Sequence, residues 1–121
     1  MDVNLPSDCG NAPRIEIVGD FTVKWAEKES TAVSEWLAED TTWAIGGGAT
    51  HSGPEAAHKM IPPFTPERVV INSIITHGRL ASCDGHLERG DKRLDFSHVF
   101  RFKSTSKTAK IAEVRSYYLE S

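Results

Sequence analysis

The sequence predicts an α+β domain in which N-terminal helices pack on a strongly bent antiparallel sheet. Three observations lead to this fold class. Apolar residues recur at helical spacing near the N-terminus, long stretches of alternating residues fill the second half of the chain, and polar turns separate the last of these stretches. Helices that precede a run of strands, instead of alternating with them, are typical of this class.

Three helices are predicted. The first covers residues 13–28, where a proline fits the first turn and apolar residues follow a 3.6-residue period. These residues are Ile15, Val18, Phe21 and Trp25. A second, shorter helix is predicted over residues 31–38. Ser52 and Glu55 have the spacing of a capping box, which predicts a third helix that ends before the prolines at 62 and 63.

Five strands are predicted after the second helix. Residues 40–45 are rich in β-branched and aromatic side chains, and the three glycines that follow predict a flexible loop. The four long strands are expected over residues 67–77, 79–89, 92–103 and 110–120. Residues 1–10 are expected to form a flexible N-terminal arm, and residues 11–121 a single domain.

Composition argues against several classes of function. The formal net charge is −3 and the basic residues are scattered, so no nucleic-acid partner is expected. No stretch resembles a membrane span or a secretion signal, so neither a membrane partner nor export is expected. Cys9 and Cys83 lack zinc-site spacing, and the five histidines form no HxH or HxxxH pair, so neither a metal nor a cofactor is expected. Reduced thiols would suit a cytoplasmic location.

The third long strand places a histidine in an apolar row. Strand side chains alternate between the two faces, so five residues share one face. They are Leu94, Phe96, His98, Phe100 and Phe102. An imidazole in such a row has three interpretations: a hydrogen-bonded core residue, a residue that contacts a ligand in a pocket, or a catalytic acid or base. The spacing leaves all three open.

Several short motifs, taken in order, resemble one superfamily. The segment 37–43 (LAEDTTW) is similar to the passage from helix to strand in that superfamily. The segment 51–56 (HSGPEA) is similar to the start of a later helix. Residues 99–102 (VFRF) and 110–118 are similar to the hairpin that ends the fold. The segments 75–78 (ITHG) and Asp84-Gly85 are similar to a bacterial branch. Over residues 11–120 the chain therefore resembles the nuclear transport factor 2-like superfamily, which includes SnoaL-like cyclases and ketosteroid isomerases. The resemblance implies a cystatin-like α+β cone.

The resemblance also implies a pocket between the helices and the sheet. Ketosteroid isomerases use an aspartate base, a tyrosine and a protonated aspartic acid there. Matching the motifs puts Ile45 at the base position, Phe21 at the tyrosine position and His98 at the position of the protonated acid. Isoleucine and phenylalanine cannot perform those roles, so ketosteroid isomerase activity itself is not expected. The imidazole of His98 keeps proton transfer possible, with Tyr118 as an orienting donor.

The resulting expectation is a pocket for a small, largely apolar molecule, with isomerase-type or cyclase-type chemistry at His98. The pocket is expected to be lined by Phe21, Trp43, Ile45, Phe96, His98, Phe100, Ser116 and Tyr118. The alternative is a non-catalytic protein-interaction or dimeric structural module, because similar proteins commonly dimerise through the outer face of the sheet. An open cavity at His98 would favour the first function, and a filled cone with an external apolar patch the second.

Overall fold

The structure, a computed structural model, describes residues 1–6 and 12–121. These residues form three helices and seven strands. In chain order they are β1 (Asp2–Asn4), α1 (Pro13–Ala26), α2 (Ser30–Ser34), β2 (Leu37–Ile45), β3 (Thr50–Ser52), α3 (Ala56–Lys59), β4 (Arg68–His77), β5 (Leu80–Arg89), β6 (Lys92–Phe102) and β7 (Ile111–Glu120). Within the described ranges, no helix is long and apolar enough to cross a membrane.

All seven strands belong to one strongly curved sheet, with the helices packed on it. The strand order is β1-β4-β5-β6-β7-β2-β3. The four long strands β4 to β7 pair antiparallel, as predicted, and each lies within one residue of its predicted range at either end. The sheet is mixed rather than purely antiparallel, because β1 pairs with β4 and β2 pairs with β7 in parallel. The α+β fold class is confirmed.

The second helix is shorter than its pattern predicts. It ends at Ser34, and the strand begins at Leu37, three residues before its predicted start. Leu37 pairs with Ile111 of β7, and the Ile111 N–H donates to the carbonyl of Trp36 at 2.8 Å. Pairing with a distant strand therefore overrides the local helical pattern of these residues.

The N-terminal segment takes part in the sheet. Residues 1–10 are predicted to form a flexible arm, whereas Asp2–Asn4 pair in register with Arg68–Val70. Residues 7–10 of that predicted arm, including Cys9, lie outside the described residues.

The capping-box prediction at the third helix is wrong. Ser52 is the last residue of β3, and α3 begins only at Ala56, with Glu55 in the N-cap position. Gly53 between them has a positive φ of 79°, a conformation that suits glycine and turns the chain before the helix. The turn therefore separates the two residues that the motif would have joined.

Helix α1 lies across the concave face of the sheet and places its aromatic side chains in the core. Phe21 and Trp25 are one turn apart and both are almost completely buried. The ring of Phe21 meets that of Phe100 edge-on at 5.2 Å between centroids. Side chains of α1 therefore fill the space in front of the apolar row of β6.

Candidate functional site in the cone

His98 lies at the centre of the cone. On β6 it pairs with Cys83 of β5 on one side and Ser116 of β7 on the other. Its exposed fraction is 0%. Five aromatic rings surround its imidazole at centroid distances of 4.5 to 6.3 Å. They belong to Trp25, Trp43, Phe96, Phe100 and Tyr118.

A short hydrogen-bonded chain fixes one side of the imidazole. The indole Nε1–H of Trp43 donates to the Ser116 hydroxyl at 2.8 Å, and this hydroxyl lies 2.7 Å from His98 Nδ1. Indole nitrogen can only donate, so the Ser116 oxygen accepts from Trp43 and can give its own proton to Nδ1. In that arrangement the neutral imidazole carries its proton on Nε2.

The other polar atoms of the site lack partners. His98 Nε2 and the Tyr118 hydroxyl are buried, and neither makes a hydrogen bond of normal geometry to a described residue, although the Tyr118 hydroxyl is close enough to interact with Ser116. Burial lowers the pKa of His98 from 6.5 to about 3. Burial also raises the pKa of Tyr118 to about 12, and the nearby Ser116 hydroxyl acts in the opposite direction. Both side chains are therefore neutral near pH 7.

The structure brings the eight predicted pocket residues together on the inner surface of the cone. Phe21, Trp43, Phe96, His98, Phe100 and Ser116 are buried, while Ile45 and Tyr118 are partly buried. Ile45 pairs with Ser116 across β2 and β7. Because His98, Trp43 and Ser116 have no accessible surface, no space large enough for a water molecule touches them.

Trp25 is a site residue that the motif comparison missed. Its ring lies 4.5 Å from the imidazole of His98 and perpendicular to it, and it stacks on Tyr118 at 5.9 Å. Its Nε1–H donates to the Met60 carbonyl at 2.8 Å, which ties α1 to the chain beyond α3. The helical spacing could have identified it, because Trp25 follows the predicted pocket residue Phe21 by four residues and so lies on the same face of the helix.

Other polar candidates lie away from the cone centre. Asp40 is exposed and forms an ion pair with Lys103 at 2.7 Å. Cys83 is buried on β5, where the Thr22 hydroxyl donates to its Sγ at 3.6 Å. Across residues 1–6 and 12–121, no group of three or more His, Cys, Asp or Glu side chains is arranged to hold a metal ion.

The outer face of the sheet, turned away from α1, carries a second candidate site. A trough of about 560 Å³ crosses β4 to β7. Its floor consists of small or short side chains, and larger apolar ones stand at its sides. The floor includes Ser82, Asp84 and Ser97, and the sides include Ile75, Tyr117 and Leu119. Ile75 and Leu119 are 62% and 70% exposed.

No protein-family profile matches the chain, and none of the curated proteins does. Solved structures do match. A nuclear transport factor 2-like protein of unknown function from Burkholderia xenovorans LB400 superposes with a TM-score of 0.72 at 14% identity, covering 88% of this chain and 82% of that one. Another, from Mesorhizobium loti, gives a TM-score of 0.69 at 18% identity over 96% and 98%.

A third similar structure is of an enzyme. SalBIII, described as epoxide hydrolase/cyclase-like and involved in pyran ring formation in the polyether salinomycin, has a TM-score of 0.61 at 17% identity over 88% and 90% of the two chains. Likeness at these identities shows the fold alone. The chain therefore has the nuclear transport factor 2-like fold shared with SnoaL-like proteins.

Proposed function

We propose that this chain is a non-catalytic binding module that self-associates through the outer face of its sheet. The observation that carries the proposal is the closed cone: the one imidazole placed for proton transfer has no exposed surface. A general acid or base must come within hydrogen-bond reach of the proton it moves. Protein groups surround His98 on all sides, so a substrate could reach it only after the aromatic side chains moved.

The electrostatics of His98 point the same way. Proton-transfer groups work best when their pKa lies near the working pH. Burial holds the pKa of His98 at about 3, so the imidazole is a weak base and carries no proton that it could give as an acid near pH 7. The contacts with Ser116 and Trp43 suit a structural polar group within the core.

The outer face has the features of a surface that binds a copy of itself. The exposed side chains of Tyr117 and Leu119 stand beside a trough floored by serines, so each copy offers both protruding groups and a space to receive them. Two ion pairs lie on this face: Arg93 pairs with Asp95 at 2.9 Å, and Arg115 with Glu113 at 3.1 Å. The Asp84 carboxylate on the trough floor instead accepts a hydrogen bond from the Ser73 hydroxyl.

Sedimentation equilibrium of the wild-type chain and of Leu119→Lys tests this proposal. The chain has a mass of 13.3 kDa, so we expect at least twice that mass for the wild type and a lower mass for the variant. Ile61→Lys is the matched control, because Ile61 is an exposed apolar residue outside the sheet. A wild type that stays at 13.3 kDa over the whole concentration range would overturn the proposal.

A second candidate function is binding of a small, largely apolar molecule inside the cone. The specific observation that favours it is the pair of buried unpartnered atoms, His98 Nε2 and the Tyr118 hydroxyl. Buried polar groups nearly always have partners, and a ligand with one polar group could supply one. Because His98 has no exposed surface, such a ligand would have to displace one of the aromatic rings around it, such as Trp25 at 4.5 Å between centroids.

Native mass spectrometry of protein purified without added ligand tests this second function. A bound molecule of defined mass that is lost in His98→Leu but kept in the exposed control His58→Leu would support it. Protein that carries no such molecule and also fails to bind the apolar probe anilinonaphthalene sulfonate in the folded state would refute it.

A further inference from the structure

The outer edge of β4 is only partly covered. The strand has ten residues, and β1 pairs with its first three, Arg68 to Val70. A register shift between Ile71 and Ser73 then interrupts its pairing with β5, so the regular part of the strand resumes at Ser73. Among the described residues, no strand pairs with the outer edge of the segment Ser73–His77.

Apart from the register shift at its start, this open segment lacks the features that usually prevent edge strands from pairing. Proteins commonly protect such edges with lysine, proline or an inward-pointing charge. Residues 69–78 (VVINSIITHG) contain no Lys, Arg, Asp, Glu or Pro. Ile74 and Ile75 are β-branched, and Ile75 is 62% exposed. The segment is therefore chemically suited to pairing with another extended strand.

We propose that the Ser73–His77 edge pairs antiparallel with the same edge of a second copy, which forms a sheet that continues from one chain into the next. Ile75 is the middle residue of the open segment. A two-fold axis at Ile75 would pair Ser73 with His77 of the second copy, and Ile75 with its own equivalent. All five residues pair in this arrangement, over about 17 Å of strand, and neither copy displaces its own β1.

The charge pattern selects a second copy over a charged peptide. A charged peptide would find no counter-charge along the open segment, whereas a copy of the segment brings no charge to repel. The nearest cation that flanks the segment is Arg79, two residues after His77. In an antiparallel pair the two copies of Arg79 lie at opposite ends of the paired segment, so they do not repel each other. The two Ile75 side chains form a cross-strand pair of β-branched residues, a favourable combination in sheets.

Ile75 borders both this edge and the trough, but Leu119 lies only on the face and Thr76 only on the edge strand, so substitutions there test the two contacts separately. In a Leu119→Lys background, which weakens the face contact, we expect a mass that still rises with concentration towards a dimer. Adding Thr76→Lys places a charge on the open edge and should return the mass to 13.3 kDa. Adding Thr42→Lys instead changes an exposed strand threonine away from that edge and should leave the dimer unchanged.

Either of two results would overturn the edge proposal: a Leu119→Lys protein that is monomeric at every concentration, or a Thr76→Lys change that leaves the mass unaltered. If Thr76→Lys does not fold, disulfide cross-linking provides the test, with Ile75→Cys introduced into a chain that also carries Leu119→Lys and Cys9→Ser. Directly opposed strand residues lie about 4.5 to 5.5 Å apart between Cα atoms, which a disulfide can bridge. Mild oxidation should then give a covalent dimer with Ile75→Cys, and none with the control Leu80→Cys. Absence of that dimer would refute the proposal.

Discussion

Acidification should destabilise the protein through His98. The unfolded chain takes up a proton on this imidazole below pH 6.5, whereas burial holds the folded pKa at about 3. Between these values the unfolded state binds one more proton than the folded state, so the free energy of unfolding falls as the pH falls. The slope is about 1.4 kcal/mol per pH unit, which gives about 2 kcal/mol between pH 6.5 and 5.

Paired carboxylates hardly contribute in that window. Asp40, Glu88 and Asp95 have lowered pKa values because they bond to Lys103, His86 and Arg93 respectively. Their contribution has the same sign, but it is lost only below the unfolded carboxyl pKa values of about 4. The chain has four other histidines, so a variant that lacks His98 is needed to separate the contribution of this imidazole.

Urea unfolding at several pH values provides the assay. We expect His98→Asn to be less stable overall, because it leaves a cavity, yet to lose the dependence on pH between 6.5 and 5. His58→Asn removes an exposed histidine on α3 and should keep the wild-type slope. Equal slopes in wild type and His98→Asn would refute the reasoning, because His98 would then accept a proton in the folded state.

Three further substitutions test the packing. Ser116→Ala removes the acceptor of one indole N–H and the partner of one imidazole nitrogen, so urea unfolding should show a loss of about 2 to 4 kcal/mol. Gly85→Ala would place a Cβ 1.9 Å from the Val70 carbonyl oxygen, and we expect a large fall in melting temperature or no folded protein. Lys103→Ala breaks an ion pair with the fully exposed Asp40, so the same unfolding assay should show little or no loss of stability.

Two controls separate these effects from general damage. Ser97→Ala changes a serine on the opposite face of β6, and Gly48→Ala places a Cβ at ordinary contact distance, 3.4 Å from its nearest neighbour. Both should leave stability within about 0.5 kcal/mol of the wild type. Equal losses for Ser97→Ala and Ser116→Ala would contradict the role given to the buried hydroxyl.

The long strands could be predicted because their signal is local. Alternation along β6 places Phe96, His98 and Phe100 on one face, and that face is the buried one. The parallel pairings could not be predicted in this way. Asp2 meets Arg68, and Trp43 meets Val114, across long stretches of sequence, and no local pattern records which distant strand is the partner.

The sequence pattern also could not predict whether the cone is open or closed at His98. The resemblance implied an inward-facing imidazole with Ser116 in the same pocket, and the two residues do pair across β6 and β7. Whether the space in front of His98 is open depends on how closely α1 approaches the sheet. Trp25 occupies that space, and its position results from packing and from a hydrogen bond to Met60 rather than from any motif.

The position of β7 has a consequence for the order of folding. It lies between β6 and β2, although β2 precedes it by more than sixty residues in the chain. During synthesis β2 must wait for β7 to emerge, and until then Trp43 lacks the Ser116 hydroxyl. Pairing between such distant segments slows folding, because the chain between them loses entropy before the contact stabilises it. In a growing chain, β6 and β2 therefore stay unconnected until β7 is available to pair with both.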